Sequence, residues 1–386
     1  MTSRRDLLRV SALAATAGLL PGCGRGEFDA VAAETWRHAP SPPAEALALA
    51  RELVRCATLA ANSHNTQPWR FAIAADAIVL RPDFSRRTPV VDPDDHHLWV
   101  SLGCAVENLA LAAAAYGRRA ELSFDTGAQA VGVALSAMAP LSTPLFAAIP
   151  QRQCTRAEYD GQPLPAMELR ALESTASGAG VRALLLADRG RIAQVADFVI
   201  AGNDAQFGDA AFLRELRQWI RFSDAEALAT RDGLSSRVSG NPSLPRWLGE
   251  LIFPWVVTAA GERDRIARQL RSSAAVAVFV ADGEGPAHWV EVGRAYQRFA
   301  LLAASLGIRN AFLNQPLEVA ALRPQFAQWL GLGNLRPSLL VRLGRGPRMP
   351  PSLRRPVEAV LAARAELRAG GSAEKMPFVG ARRLTA

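Results

Sequence analysis

The chain has 386 residues, 49% of them apolar and 21% charged, with a formal net charge of +8. That length holds two or three ordinary domains or one large two-part fold, and the composition excludes a disordered or fibrous chain. The positive excess is arginine, since Lys375 is the only lysine, and it is scattered without a basic helix or aromatic interleaving, which argues against nucleic-acid binding.

Four cysteines occur without a Cys-x-x-Cys pair, so neither a zinc ribbon nor a thioredoxin-type site is indicated, and Cys56 and Cys104 read as packing residues. The five histidines are too scattered for a metal site. At the N-terminus, Ser3-Arg4-Arg5-Asp6-Leu7-Leu8 precedes Val10–Leu20, an apolar run too short to span a membrane. This arrangement resembles a twin-arginine export signal, and Leu20-Pro21-Gly22-Cys23 resembles a lipobox with Pro21 out of pattern. The resemblance implies export of a folded chain to the periplasm, with a lipid on Cys23, an ordinary cleavage, or a retained leader. Residues 24–43 show no period and read as a linker.

Ser41-Pro42-Pro43 is a helix-start signal. Ala46, Leu47, Ala50, Leu53, Val54 and Ala57 then recur at helical spacing, which predicts a core-facing helix ending near Asn62. The next stretch, Asn62–Phe71, reads Asn-Ser-His-Asn-Thr-Gln-Pro-Trp-Arg-Phe. A helix-to-strand turn needs one or two hydrogen-bonding side chains; six in a row suggest a loop that presents polar groups to a flat, polar-edged ligand, with Trp69 packed behind. An alternating strand is expected over Phe71–Leu80. A polar link to residue 97 follows, with His96-His97 read as surface residues, and then a long helix over Leu98–Tyr116 stopped by Gly117.

The second half opens with Arg152-Gln153-Cys154-Thr155-Arg156 and Tyr159-Asp160-Gly161. If this stretch is locally helical, Arg152 and Arg156 share a face and can clamp a phosphate with permanently charged, bidentate donors. A helix from Ala166 and a strand from Val181 follow. Asn203–Arg268 is too long for a plain connection. It reads as a helical excursion, with an amphipathic helix over Phe212–Phe222, aromatic residues at Trp247, Phe253 and Trp255, and Arg217 and Arg221 aimed into the site. Trp289–Leu306 then repeats the earlier helix at an offset of 190, with ten of twenty-one residues identical over 99–119 and 289–309. This echo suggests internal duplication. Small residues at Gly103, Ala110, Gly293 and Ala300 suit two long helices in close contact. Asn314-Gln315-Pro316-Leu317-Glu318, a strand at Leu339–Leu343, and Arg342, Arg345, Arg354 and Arg355 complete the half, and residues 370–386 read as loosely structured.

Ser63-His64-Asn65-Thr66-Gln67-Pro68-Trp69 resembles the signature loop of FMN-dependent nitroreductases, most closely their Acg-like branch. Arg152–Gly161 resembles the family's phosphate-gripping N-terminal signature, with Gln153 and Cys154 out of pattern. Gln315-Pro316-Leu317-Glu318 resembles the segment whose backbone N–H meets the flavin, and Arg354-Arg355 a basic segment near the phosphate. The resemblance implies an α+β nitroreductase-like fold of two fused halves, an intramolecular pseudo-dimer: leader and linker over 1–40, one half over 41–147, the other over 148–358 with a lid at about 203–268, and a terminal segment over 359–386. It implies one FMN at the seam, met by Ser63, Asn65, Gln67, Arg152, Gln153, Arg156, Gln315, Leu317, Arg354 and Arg355, with no metal and no catalytic side chain needed for hydride transfer. NAD(P)H or another small reductant and a quinone or nitro acceptor would alternate in a ping-pong cycle. The alternative is a chain that holds FMN under its lid without turnover.

Overall fold

The computed structural model describes residues 25–362 and 382–384. The twin-arginine leader and Cys23 lie outside the described residues, as does most of the C-terminal tail.

The first element is a helix where a linker was expected, α1 (Arg25–Thr35). It is held by Phe28 and Ala32, four residues apart, which pack on Ala227 and Leu353. Two apolar residues on one face are too few to show as a period. Helix α2 (Ala46–Thr58) follows and stops four residues earlier than expected. The strand expected over Phe71–Leu80 is instead a hairpin, β1 (Trp69–Ile73) and β2 (Ala77–Pro82). Its tight turn is closed by Ala74 N–H donating to the Ala77 carbonyl at 2.9 Å. Two alanines at a turn give no sequence signal. Helix α3 (His96–Ala115) then leads into β3 (Arg118–Asp125) and β4 (Ala130–Ala137).

The second half repeats this plan. Helix α4 (Ala166–Ala176) precedes β5 (Val181–Leu186). Helices α5 (Arg189–Gly208), α6 (Ala210–Trp219), α7 (Arg246–Val256) and α8 (Ala259–Arg271) come next. Then come β6 (Ala275–Ala281), α9 (Pro286–Ser305), β7 (Arg309–Phe312) and β8 (Pro337–Gly344). The first sheet runs β1-β2-β4-β3, the second β5-β6-β8-β7, and every strand pairing in both is antiparallel. Numbered within each half, the strand order is the same. The β1–β2 hairpin corresponds to β5–β6, so the helical excursion fills the place of a three-residue turn. It therefore spans 187–274, wider than the expected 203–268. The tail is not wholly loose either: β9 (Arg382–Arg383) pairs with β3 of the first half.

The halves meet at α3 and α9. Helix α3 covers the first sheet and α9 the second, and their apolar faces form one continuous core. The crossing is reciprocal. A Cβ on Gly103 would stand 2.0 Å from the Val290 carbonyl oxygen, and one on Gly293 would stand 2.0 Å from that of Val100. Both contacts relate by the same 190-residue shift, which is the mark of an isologous interface. Only glycine lets the backbones approach so closely. Strand β6 is buried on both faces: Ala275, Ala277 and Phe279 enter the common core, while Val276, Val278 and Val280 face α5 and α8.

Candidate functional site

One cleft lies between the halves and is lined by both. It encloses roughly 1350 Å³ of space counted out to open solvent. Ser63, His64 and Asn65 come from the loop after α2, and Val100, Ser101 and Cys104 from α3. Arg152, Gln153, Cys154 and Arg156 come from the strip before α4. Gln206 and Phe212 belong to α5 and α6, Leu234 and Val238 to the excursion, and Asn314, Gln315 and Glu318 to the turn after β7. Pro350–Ser352 and Arg354 close one side together with Trp36.

The loop over 62–69 holds its shape at a conformational cost. His64, Asn65 and Gln67 have φ of 46°, 55° and 53°, left-handed values that side chains with a Cβ adopt rarely and that gather at functional sites. Side-chain bonds hold this shape in place. Asn62 Oδ1 accepts from Gln67 N–H at 2.9 Å. Gln67 donates to the Arg231 carbonyl and accepts from Arg355 N–H, both at 2.8 Å. Asn65 donates to the Gly233 and Leu353 carbonyls and accepts from Arg354 at 2.7 Å. Asn65 lines the cleft with its amide fully engaged, so its part is to orient Arg354. Gln67 is fully buried and does not line the cleft, contrary to expectation; it ties the excursion to the segment at 353–355.

The strip at 152–156 is extended, not helical. Cys154 bridges to Asn310, and Thr155 N–H donates to the Asn310 carbonyl at 2.8 Å, so the strip lies along the edge strand β7. Arg152, Cys154 and Arg156 then share a face through the period of two of extended chain. Arg152 is 4% exposed. Of its five N–H donors one is used, to the Leu59 carbonyl at 3.2 Å, and its Nε is buried without a partner. Arg354, 5% exposed, spends its donors on the carbonyls of Thr58, Ala60 and Leu353 and on Asn65. Both guanidinium groups lie against the Trp36 ring, at 5.8 and 4.9 Å from its centroid. Among the described residues no carboxylate pairs with Arg152, Arg156 or Arg354. Burial and the neighbouring Arg152 charge both work against the Arg354 cation, pulling its pKa well down. Two buried like charges without a counter-ion are costly unless an anion joins them.

The other cations expected near the phosphate are used elsewhere. Arg355 donates to the Ala359 carbonyl and does not reach the cleft. Arg342 is fully buried, donates to the carbonyls of Thr155 and Ala157, and sits 4.1 Å from the Tyr159 ring centroid, so it braces the strip from behind. Arg345 pairs with Glu168 at 2.8 Å. Neither arginine of the excursion enters the cleft. Arg221 is locked onto Asp232 at 2.7 Å, and Arg217 lies over Phe253. Gln153 lines the cleft but exchanges hydrogen bonds with the backbone of Met349. Leu317 is in the second core, and its N–H donates to the Asn314 carbonyl at 2.8 Å, so it faces away from the cleft. Gln315 does reach the cleft, and its Oε1 is buried without a partner.

His64, His97 and Glu318, which the sequence did not single out, also line the cleft, with Asp92 and His96 behind them. His64 and His97 are both buried, and burial pushes each pKa down to about 4; the Arg156 charge adds to the effect on His64. The pair His96-His97, expected at the surface, is inside: His96 is 1% exposed and packs edge-on to Trp289. Asp92 accepts from the N–H groups of His97 and Leu98 at 3.0 Å each and so caps α3. Burial raises Asp92 to about 6. Glu318 also lines the cleft and accepts from Gln206 Nε2 at 2.6 Å. The Asp-x-x-x-His-His spacing ahead of an apolar helix is the one signal that could have drawn attention to the histidines.

No family model matches the chain. Two curated relatives, from Mycobacterium tuberculosis strains CDC 1551 / Oshkosh and ATCC 25618 / H37Rv, are each 28% identical over 327 residues, spanning 81% of this chain and 90% of theirs; both carry the provisional name NAD(P)H nitroreductase. Among solved structures, a nitroreductase with bound FMN from Desulfitobacterium hafniense DCB-2 aligns with 56% of this chain and 96% of its own, at 17% identity and a TM-score of 0.35. An NADPH:FMN oxidoreductase from Vibrio harveyi complexed with NAD+ aligns with 57% of this chain and 77% of its own, at 14% identity and a TM-score of 0.35.

Proposed function

We propose that the chain binds a single FMN in the cleft between its halves and acts as a flavin-dependent oxidoreductase similar to the NAD(P)H nitroreductases. The observation that supports this most is Arg152: a buried guanidinium with four idle donors and no carboxylate, beside Arg354, in a cleft that Arg156 also lines. A dianionic phosphate would relieve their mutual repulsion and satisfy those donors. Ser63, the unpartnered Gln315 Oε1 and the strained backbone at 62–67 would meet a flat, polar-edged ring. FMN supplies the electron-pair chemistry: it accepts a hydride from a nicotinamide and passes electrons to an acceptor. The chain's own share is to hold the phosphate, set the ring's orientation and control access. The absorbance spectrum of the purified protein, with flavin quantified per chain, tests the reading. A yellow protein with one FMN per chain is expected; a colourless protein that takes up no FMN would refute it.

The reciprocal α3–α9 crossing and the shared strand order favour duplication and fusion of a once-dimeric ancestor. On this reading the first half keeps the 62–69 loop, the second keeps the 152–156 strip, and a single working site remains. The leader-like N-terminus would send the folded, loaded chain to the periplasm, by the route the twin arginines suggest. Cell fractionation of a strain making the full chain tests that part.

A second reading is favoured by one feature. The excursion is bonded to the 62–69 loop and to Arg86 of the first half: Gly233 N–H donates to the Asn65 carbonyl at 3.1 Å, Gln67 holds Arg231, and Arg86 pairs with Asp232. Such a lid excludes nicotinamide, and the chain then keeps FMN in the manner of the Acg-like branch without turnover. Anaerobic mixing of the holoprotein with NADPH separates the two readings, because rapid bleaching of the flavin requires an open site.

A further inference from the structure

The cleft also has a lining of different chemistry. Glu318, Gln206, Asn314 and the neutral His97 line it, with Phe212, Leu234 and Val238 alongside. Three hydrogen bonds tie these groups together. Gln206 Nε2 donates to Glu318 Oε2, Asn314 Nδ2 lies 3.3 Å from His97 Nε2, and Asn314 Oδ1 accepts from Leu340 N–H. Glu318 thus has one oxygen bonded to Gln206 and the other with no protein donor. Its charged neighbours come from three directions: Asp92 ahead of α3, Glu215 of α6, and Arg323 after the turn. Two of the three are acids. Glu215 is tied to the N–H groups of Val90 and Val91, and Arg323 donates to the Leu317 carbonyl, so neither neutralises Glu318 directly.

We propose that Glu318 is the proton donor of this cleft: it enters the reaction as a carboxylic acid and gives its proton to an oxygen of an uncharged quinone bound beside it. The proposal rests on the FMN reading above for the supply of electrons. The balance is simple. Reduction of a quinone to its hydroquinone takes two electrons and two protons. A hydride equivalent from the reduced cofactor brings both electrons and one proton, and Glu318 brings the other. The carboxylate left behind recovers its proton from water in the open cleft. The electrostatics agree with this role: burial, helped by Asp92 and Glu215 and opposed by the Gln206 bond and Arg323, pushes the Glu318 carboxyl up to about 7, so near neutral pH much of it carries the proton. A hydrogen-bonding lining beside Phe212, Leu234 and Val238 also suits an uncharged planar carbonyl compound better than an anion, which would meet Glu318 with Asp92 and Glu215 behind it.

The test uses the full-length holoprotein and the variants Glu318→Gln and Glu318→Asp, with flavin per chain measured first. In infrared difference spectra between about pH 6 and about pH 8, the wild type should lose a protonated-carboxyl band that Glu318→Gln lacks. This measurement works with or without cofactor, so a colourless protein would refute the FMN reading while still deciding whether Glu318 holds a proton. Re-oxidation of the pre-reduced holoprotein by a benzoquinone should slow about tenfold per pH unit above the break in the wild type. In Glu318→Gln it should be roughly a hundredfold slower and independent of pH, and Glu318→Asp should restore the slope. A merely structural glutamate would leave the break in place. An unchanged break in Glu318→Gln, or a carboxyl band that survives the substitution, overturns the proposal.

Discussion

Replacing Gly103 with alanine tests the crossing on which the cleft depends. The added methyl would stand 2.0 Å from the Val290 carbonyl oxygen, 2.8 Å from its carbonyl carbon and 2.9 Å from the Gly293 Cα. All three are backbone atoms, so no side chain can swing aside. Ordinary contact begins at 3.4 Å, and the helices must separate by about 1.4 Å to reach it. That opens the best-packed part of the core around Val100, Cys104, Val290 and Ala295. Overpacking against rigid neighbours costs about 3 kcal/mol or more, and the better helix propensity of alanine returns about 1. A net loss of about 2 to 4 kcal/mol is expected. Gly293→Ala makes the same contact with Val100, also at 2.0 Å, so its loss should match within about 1 kcal/mol. Urea unfolding followed by circular dichroism measures both, as a shifted midpoint at constant slope. If either variant is as stable as the parent, or if only one is harmed, the crossing is not reciprocal and the argument from the 190-residue offset fails.

Arg152→Met keeps the length of the side chain but removes the idle donors; FMN affinity measured by equilibrium dialysis should fall about a hundredfold, from loss of a charge-assisted pair worth roughly 1.5 to 3 kcal/mol. An unchanged affinity would remove Arg152 from the site. Glu318 is raised from 4.5 to about 7, so the folded chain keeps a proton that the unfolded chain releases. Stability should therefore drop as pH climbs through that window, by about 3 kcal/mol, and Glu318→Gln should flatten the curve in thermal melts. His64 and His97 act on the acid side: lowered from 6.5 to about 4, they cost stability as pH falls through that range, and replacing His97 with Asn should lessen the acid loss. Trp247 and Trp255 on α7 are 68% and 72% exposed. Trp247→Ser with Trp255→Ser should leave the unfolding midpoint within about 0.5 kcal/mol while weakening retention on a hydrophobic column; a large loss of stability would mean that this face is covered.

Much of the plan is legible in the sequence where packing leaves a strong period. The two long helices announce themselves through Trp99 and Trp289, Gly103 and Gly293, and Gly117 and Gly307, because a close crossing tolerates few alternatives. The stretch at 62–69 stands out because six polar side chains exceed what a turn needs. Arg152 and Arg156 reach the cleft as expected, though by strand spacing rather than helical spacing. Other features left no mark. The turn at 74–76 is made by the sheet pairing around it, not by turn residues. Helix α1 depends on Phe28 meeting Leu353, a contact more than three hundred residues away in the chain. Burial of His96 and His97 follows from the Trp289 ring, far away in sequence, and from the Asp92 cap, whose spacing to the pair is only a faint signal. Gln67 looks like a ligand residue in its motif, yet its amide is consumed by two loops that only the folded chain brings within reach.

Trp36 follows directly on α1 and rests on the Arg152 and Arg354 guanidinium groups, with its Nε1 donating to the Ser352 carbonyl at 2.8 Å. Whoever trims the chain for expression should note what this implies. A start site placed before Arg25 keeps α1 and Trp36, whereas one placed after Trp36 strips an aromatic cover from the cations beneath, and the shortened protein would then gather nucleotides and stray polyanions from the host.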